Sequence, residues 1–188
     1  NNSTKYAEMM WEEDKDLWCW ADGYPGLSVI WTRANNQLFN AGEHSYKGQH
    51  LKVIKARQDY AGEYICTASI SGFHNASVSH KVNLIVEGPP HNYATQNEFF
   101  ASPGDNVTLP CGVIGYPEPD VTWSRSGKVI GDDLKRYLVI EVPVHDCSKN
   151  NTLNIIGVNE DDYETYTCEV RNAYGRSELQ YTIKRSPK

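Results

Sequence analysis

Two cysteines, Cys19 and Cys111, are each followed twelve residues later by a tryptophan, Trp31 and Trp123, and further on by a Tyr-x-Cys, Tyr64-Ile-Cys66 and Tyr166-Thr-Cys168. A spacing that scarce residue types obey twice is an internal repeat, and it sets the number of folding units before any strand is assigned. In 188 residues it implies two units of roughly 100 residues each. Each is long enough to bury a core of its own.

The bulk of the sequence narrows the class. Hydrophobic residues make up 39% and charged residues 22%, ordinary for globular protein, and no apolar run approaches the ~20 residues that span a bilayer. Asn1 to Lys15 has neither a basic start nor an apolar core segment, so a signal peptide is expected to be absent. The expectation is a mature secreted protein, or an ectodomain that reaches a membrane only through an anchor outside this sequence. A net charge of −6 with no basic stripe weighs against nucleic acid or a heparin-like polyanion as partner. Five cysteines point to an oxidising compartment. Sequons at Asn1, Asn2, Asn75, Asn106 and Asn150 agree with it and mark candidate glycosylation sites.

Strands are legible by their period of two. Val107, Leu109 and Cys111 alternate with Asn106, Thr108 and Pro110, and Val121 with Trp123 continues the buried face. Leu153, Ile155 and Val158 lead to Asp162, then Tyr166, Cys168 and Val170, then Leu179, Tyr181 and Ile183. The first unit follows the same grid through Leu17, Cys19, Val29, Trp31, Leu51, Val53, Ala56, Tyr64, Cys66 and the run Val78 to Val86. Gly88-Pro89-Pro90 interrupts the pattern, because proline cannot donate to a ladder. The predicted organisation is therefore an all-β first domain over 1–87, a linker at 88–90 and an all-β second domain over 91–188.

Both units resemble immunoglobulin superfamily domains of the I-set or the related C2 type. The resemblance rests on the Cys-Trp-Tyr-x-Cys repeat, on Pro103-Gly104 before the first cysteine strand of unit 2, on the run from Leu153 to Asp162, and on Asn172-Ala-Tyr-Gly175. It implies two β-sandwiches with bridges Cys19–Cys66 and Cys111–Cys168 joining sheets about 10 Å apart beneath a tryptophan. It also implies that Tyr64 and Tyr166 tie a corner by a phenolic hydrogen bond. The family pattern there is Asp-x-Gly-x-Tyr-x-Cys. Unit 1 departs from it with Tyr60 at the Asp position and Asp59 one place early, and unit 2 with Glu164 in place of Gly.

Function is then expected on surfaces. In Leu17-Trp18-Cys19-Trp20 an inward Leu17 and Cys19 leave Trp18 and Trp20 outward, with Ile54 outward beside inward Leu51 and Val53. Bare indoles call for cover. Either residues 6–13, with Met9, Met10 and Trp11, fold back over them, or they form a partner surface, where Trp and Met are enriched. The opposite sheet is expected to present Ile30, Thr32, Ile65, Thr67, Lys81 and Asn83, a second candidate recognition face. Cys147 is the odd cysteine, in a stretch that makes Trp123 to Cys168 45 residues against 35 from Trp31 to Cys66. It has three readings: an interchain bridge, a bond to a segment elsewhere, or a buried inert thiol. The same stretch holds Tyr137-Leu-Val-Ile140 and Val142-Pro-Val144, apolar enough for an extra edge strand or for core.

No enzyme is expected. His145-Asp146-Cys147 has the letters of a triad, but neighbours in an extended segment alternate faces and cannot converge. The six histidines show no zinc spacing, and Asp132-Asp133 and Glu160-Asp161-Asp162 read as solvated turns rather than calcium loops, so neither metal nor cofactor is predicted. The resemblance implies an adhesion molecule or receptor ectodomain that binds a protein ligand or cell-surface counter-receptor, itself included. A secreted two-domain trap for a growth factor or hormone and a spacer in a longer array are the alternatives.

Overall fold

Alternation around both cysteine pairs produces strands that each bury one side, and two sandwiches result. The structure is a computed structural model that describes residues 5–23, 26–37, 39, 42–70, 76–131, 135–145 and 147–187. Two units separate, Asn1–Glu87 and Gly88–Lys188. Among the described residues there are sixteen strands, three single-turn 3-10 helices and no α-helix.

Unit 1 contains β1 (Lys5–Met10), β2 (Lys15–Trp18), β3 (Leu27–Arg33), β4 (Ser45–Lys47), β5 (His50–Val53), β6 (Gly62–Ile70) and β7 (Ser77–Glu87). One sheet has the order β1-β7-β6-β3-β4, with β1 parallel to β7; the other is the pair β2-β5 alone. Trp31, Leu84 and Val86 are completely buried between them, with Leu17, Leu51 and Val53 facing in from the small sheet. Cys19 and Cys66 are bonded across the core with Cα atoms 6.2 Å apart.

Unit 2 contains β8 (His91–Tyr93), β9 (Glu98–Ala101), β10 (Val107–Ile114), β11 (Asp120–Arg125), β12 (Lys128–Val129), β13 (Tyr137–His145), β14 (Ser148–Ile155), β15 (Thr165–Asn172) and β16 (Gly175–Arg185). Its sheets are β13-β14-β10-β8 and β12-β11-β15-β16-β9. Cys111 and Cys168 are bonded with Cα atoms 6.6 Å apart, beside Trp123, whose Nε1 donates to Asn151 Oδ1 at 2.7 Å. The ten-residue excess between Trp123 and Cys168 is spent on β13, which lines the edge of β14. Unit 1 has no counterpart among its described residues, which is why β2-β5 stays two-stranded. Gly88 donates to Tyr116 O and accepts from Asn172 Nδ2, so the Gly-Pro-Pro segment begins tied to unit 2.

Both tyrosine corners are formed, Tyr64 OH to Tyr60 O at 2.8 Å and Tyr166 OH to Asp162 O at 3.2 Å. Their supports differ because the sequences differ. In unit 2 the fully buried Asp162 accepts from Arg136, from Tyr137 OH at 2.6 Å, from Asn159 N at 2.8 Å and from Arg125 Nη1 at 3.3 Å. Burial alone would raise this carboxyl, but the Tyr137 phenol, the Asn159 N–H and Arg136 outweigh it and hold it below its ordinary value. In unit 1, where Tyr60 replaces that aspartate, Arg33 donates to backbone instead, to Asp59 O at 3.0 Å and Ala61 O at 2.9 Å. Desolvation pushes the Tyr64 phenol up to about 12.

Candidate functional site

The outer face of β2-β5 carries a row of stacked rings. Leu17 and Cys19 point inward, so Trp18 and Trp20 stand on the outside, parallel within 7° and 5.1 Å apart. Register adds a third ring: Trp18 lies opposite His50 on β5, and their centroids are 4.3 Å apart. The imidazole is fixed in turn by a 2.7 Å contact between His50 Nε2 and Asp16 Oδ1. Trp20 ends the row at 80% exposure, Trp18 at 49%, and Ile54 just beyond β5 is also exposed. Offset-stacked rings gain about 0.5–1.5 kcal/mol per pair beyond area burial. The three rings are therefore stacked on one another before any partner arrives.

The segment preceding these strands does not cover them. Residues 5–10 run as β1 alongside β7 in the opposite sheet, where Met9 enters the core while Met10 and Trp11 stay at the surface. Lys52 pairs with Asp14 at 3.3 Å, and the Lys55 N–H on Asp14 lowers that carboxyl from its ordinary value. The rings thus sit beside charged side chains of both signs, the pattern of an apolar centre with a polar rim.

Ile30 and Ile65 lie elsewhere, half-buried on the outer face of the five-stranded sheet, so the structure does not bring them together with Trp18 and Trp20; Ile54 is separated from the ring row as well, four residues beyond His50 with Lys52 between. That face is occupied by its own pairs, Thr67 with Ser79 at 2.8 Å and Lys81 with Glu63 at 3.0 Å. Asn83, expected there as a presented residue, is buried, because β1 flanks β7 and sets Tyr6 beside it. His50 and Asp16 were missed by sequence reading. Only the cross-strand register assigns them to the tryptophans.

In unit 2, β13 is an edge strand, and Leu138, Ile140 and Val142 are exposed on the outer face opposite Asn154, Thr152 and Asn150 of β14. Asn106 is exposed, its Oδ1 accepting from Gly157 N at 2.9 Å. Asn1, Asn2, Asn75 and the Asp132-Asp133 pair lie outside the described residues. Cys147 takes part in neither disulfide; it is half-buried on the rim of an open hollow of about 430 Å³ that Glu118, Glu141 and Lys149 also line. Lys149 bonds both carboxylates at 3.1 Å. Burial works against its charge, but those two partners raise its pKa above the ordinary value.

Two disulfide-bridged sandwiches, each with a buried tryptophan over its bridge and a tied tyrosine corner, define a tandem of immunoglobulin-like domains. Residues 2–86 match the family described as immunoglobulin I-set domain, and residues 89–172 match the one described as immunoglobulin domain. The chain belongs to the immunoglobulin superfamily. It is 23% identical over 183 residues to lachesin of Drosophila melanogaster, covering 97% of this chain and 50% of that one. It is 30% identical over 161 residues to neural cell adhesion molecule L1.1 of Danio rerio, covering 85% of this chain and 12% of that one. The chain thus spans half or less of the length of these relatives. Among solved structures, that of Dpr2 Ig1-Ig2 in complex with DIP-Theta Ig1-Ig3 shares the fold at a TM-score of 0.62 and 24% identity, over 98% of this chain and 62% of that one.

Proposed function

We propose that this chain is an extracellular recognition tandem of a cell-surface adhesion or receptor protein, and that a protein partner docks on the β2-β5 face of unit 1. The observation that carries the reading is the Trp20-Trp18-His50 row, exposed and pre-stacked on a sheet whose edges are open among the described residues. Aromatic anchors in a rigid setting are what interface hot spots are made of, and an open edge offers backbone donors and acceptors to an added strand. The adhesion role in the printed name of L1.1, together with two intradomain disulfides, supports the extracellular and adhesive parts of the reading.

The experiment is light scattering of the secreted protein over a concentration range, with and without reductant, paired with binding of multivalent protein to cells. Trp18→Ala with Trp20→Ala should weaken association or cell binding about 30-fold, the equivalent of a single 2 kcal/mol hot spot, while unit 1 stays folded. Association lost on reduction alone would transfer the role to a Cys147 bridge. A double variant that binds as well as the wild type would refute the site.

A further inference from the structure

We propose that Asn150 carries an N-linked glycan and that this glycan covers the aliphatic row of β13, closing the outer face of the four-stranded sheet of unit 2 to protein partners. The row is Leu138, Ile140 and Val142, with exposures of 54, 43 and 52%. Side chains two apart on a strand share a face at a spacing of about 6.6 Å, so the three form a continuous apolar stripe. Such a stripe on a free edge strand invites pairing with another chain unless something covers it.

The cover is encoded on the next strand. Val142 lies directly opposite Asn150, and Ile140 opposite Thr152, the third residue of the sequon Asn150-Asn151-Thr152. Residues opposite each other in an antiparallel pair have Cβ atoms about 4.5–5.5 Å apart. A sugar attached to Asn150 therefore starts within one side-chain width of Val142. Alternation separates the roles of the adjacent asparagines: Asn151 is buried and bonded to Trp123 and Glu141, whereas Asn150 is exposed on the outer face. Thr152 Oγ1 donates to Ile140 O at 3.3 Å, which places the sequon hydroxyl on that face too.

The chemistry is a transfer from a lipid-pyrophosphate oligosaccharide. Asn150 Nδ2 forms a bond to C1 of the first N-acetylglucosamine, the C1–oxygen bond to pyrophosphate breaks, and one amide proton leaves with that anion. Nothing is oxidised or reduced. The product is bulky and hydrophilic on its outer side. Its first sugars present C–H faces that lie over aliphatic side chains without stranding a polar group.

The inference does not depend on the β2-β5 docking face, and its test reads a different surface. The protein is secreted from a eukaryotic host, and the peptide containing Asn150 is weighed before and after peptide N-glycosidase. Deglycosylation of the folded protein is then followed by an apolar fluorescent dye and by light scattering. The expected result is an occupied Asn150 whose removal, by enzyme or as Asn150→Gln, raises dye fluorescence and promotes self-association. Adding Ile140→Thr with Val142→Thr should reverse both changes, and Asn106→Gln should cause neither. The enzymatic route keeps the test decisive if Asn150→Gln folds poorly. An unmodified Asn150, or deglycosylation that leaves dye binding unchanged, overturns the proposal. So does a dimer that forms with the glycan intact and is dispersed by Ile140→Lys, which would give the stripe to a second copy.

Discussion

Asp162→Ala is the substitution that most directly probes how unit 2 is held. Its carboxylate is fully buried and gathers Arg136, Arg125, Tyr137 and the Asn159 N–H. Breaking a buried pair by deleting one partner costs about 3–5 kcal/mol when the remaining charge stays buried. Here the two guanidinium side chains are 39 and 38% exposed and can recover water, and Tyr137 OH keeps its 2.7 Å bond from Arg125. The low end applies, about 3 kcal/mol. For a domain of about 100 residues each kcal/mol moves Tm by about 4–8 °C, so a fall of about 12–24 °C is expected for the unit 2 transition at pH 7. The folded-state pKa is depressed from 3.8, so the stabilisation is fully present above the unfolded value and drains away as pH falls through the folded one. The difference between wild type and variant must therefore shrink below about pH 4. Calorimetry of the whole chain, with hydrogen exchange resolved by peptide, assigns the loss to unit 2 and uses unit 1 as internal control. A Tm within about 3 °C of wild type at pH 7, or a gap that persists into acid, would refute the reasoning.

Two further substitutions follow from the same geometry. Arg33→Ala deletes the one nitrogen, Nη2, that donates to both Asp59 O and Ala61 O; a loss of about 2 kcal/mol in unit 1, read by denaturant unfolding, is expected, with unit 2 unchanged. Gly112 lies opposite Tyr93, and an added Cβ would come within 2.4 Å of the ring. Because Tyr93 is 45% exposed its ring can swing away, so Gly112→Ala should cost about 1 kcal/mol, and the cost should vanish in a Tyr93→Ala background, a coupling that a double-mutant cycle measures.

The sequence by itself pointed to the two sandwiches through its resemblance to immunoglobulin domains, carried by Cys, Trp and Tyr-x-Cys at a repeated spacing, and period-two alternation tells inside from outside along each strand. That parity was enough to turn Trp18 and Trp20 outward. The apolar run in the ten-residue excess of unit 2 read as either an extra edge strand or core, and its ladder to β14 decided for the edge strand β13. Which segment covers a face is a different kind of fact, because it depends on partners distant in sequence. Only the tertiary structure sent residues 5–10 to β7 and left the tryptophans bare, set His50 against Trp18, and buried Asn83. It also decided how each corner is held, by a carboxylate in unit 2 and by two carbonyls reached from Arg33 in unit 1. Alternation is a property of neighbours along one strand, whereas cover, register and ion pairing belong to strands brought together by folding.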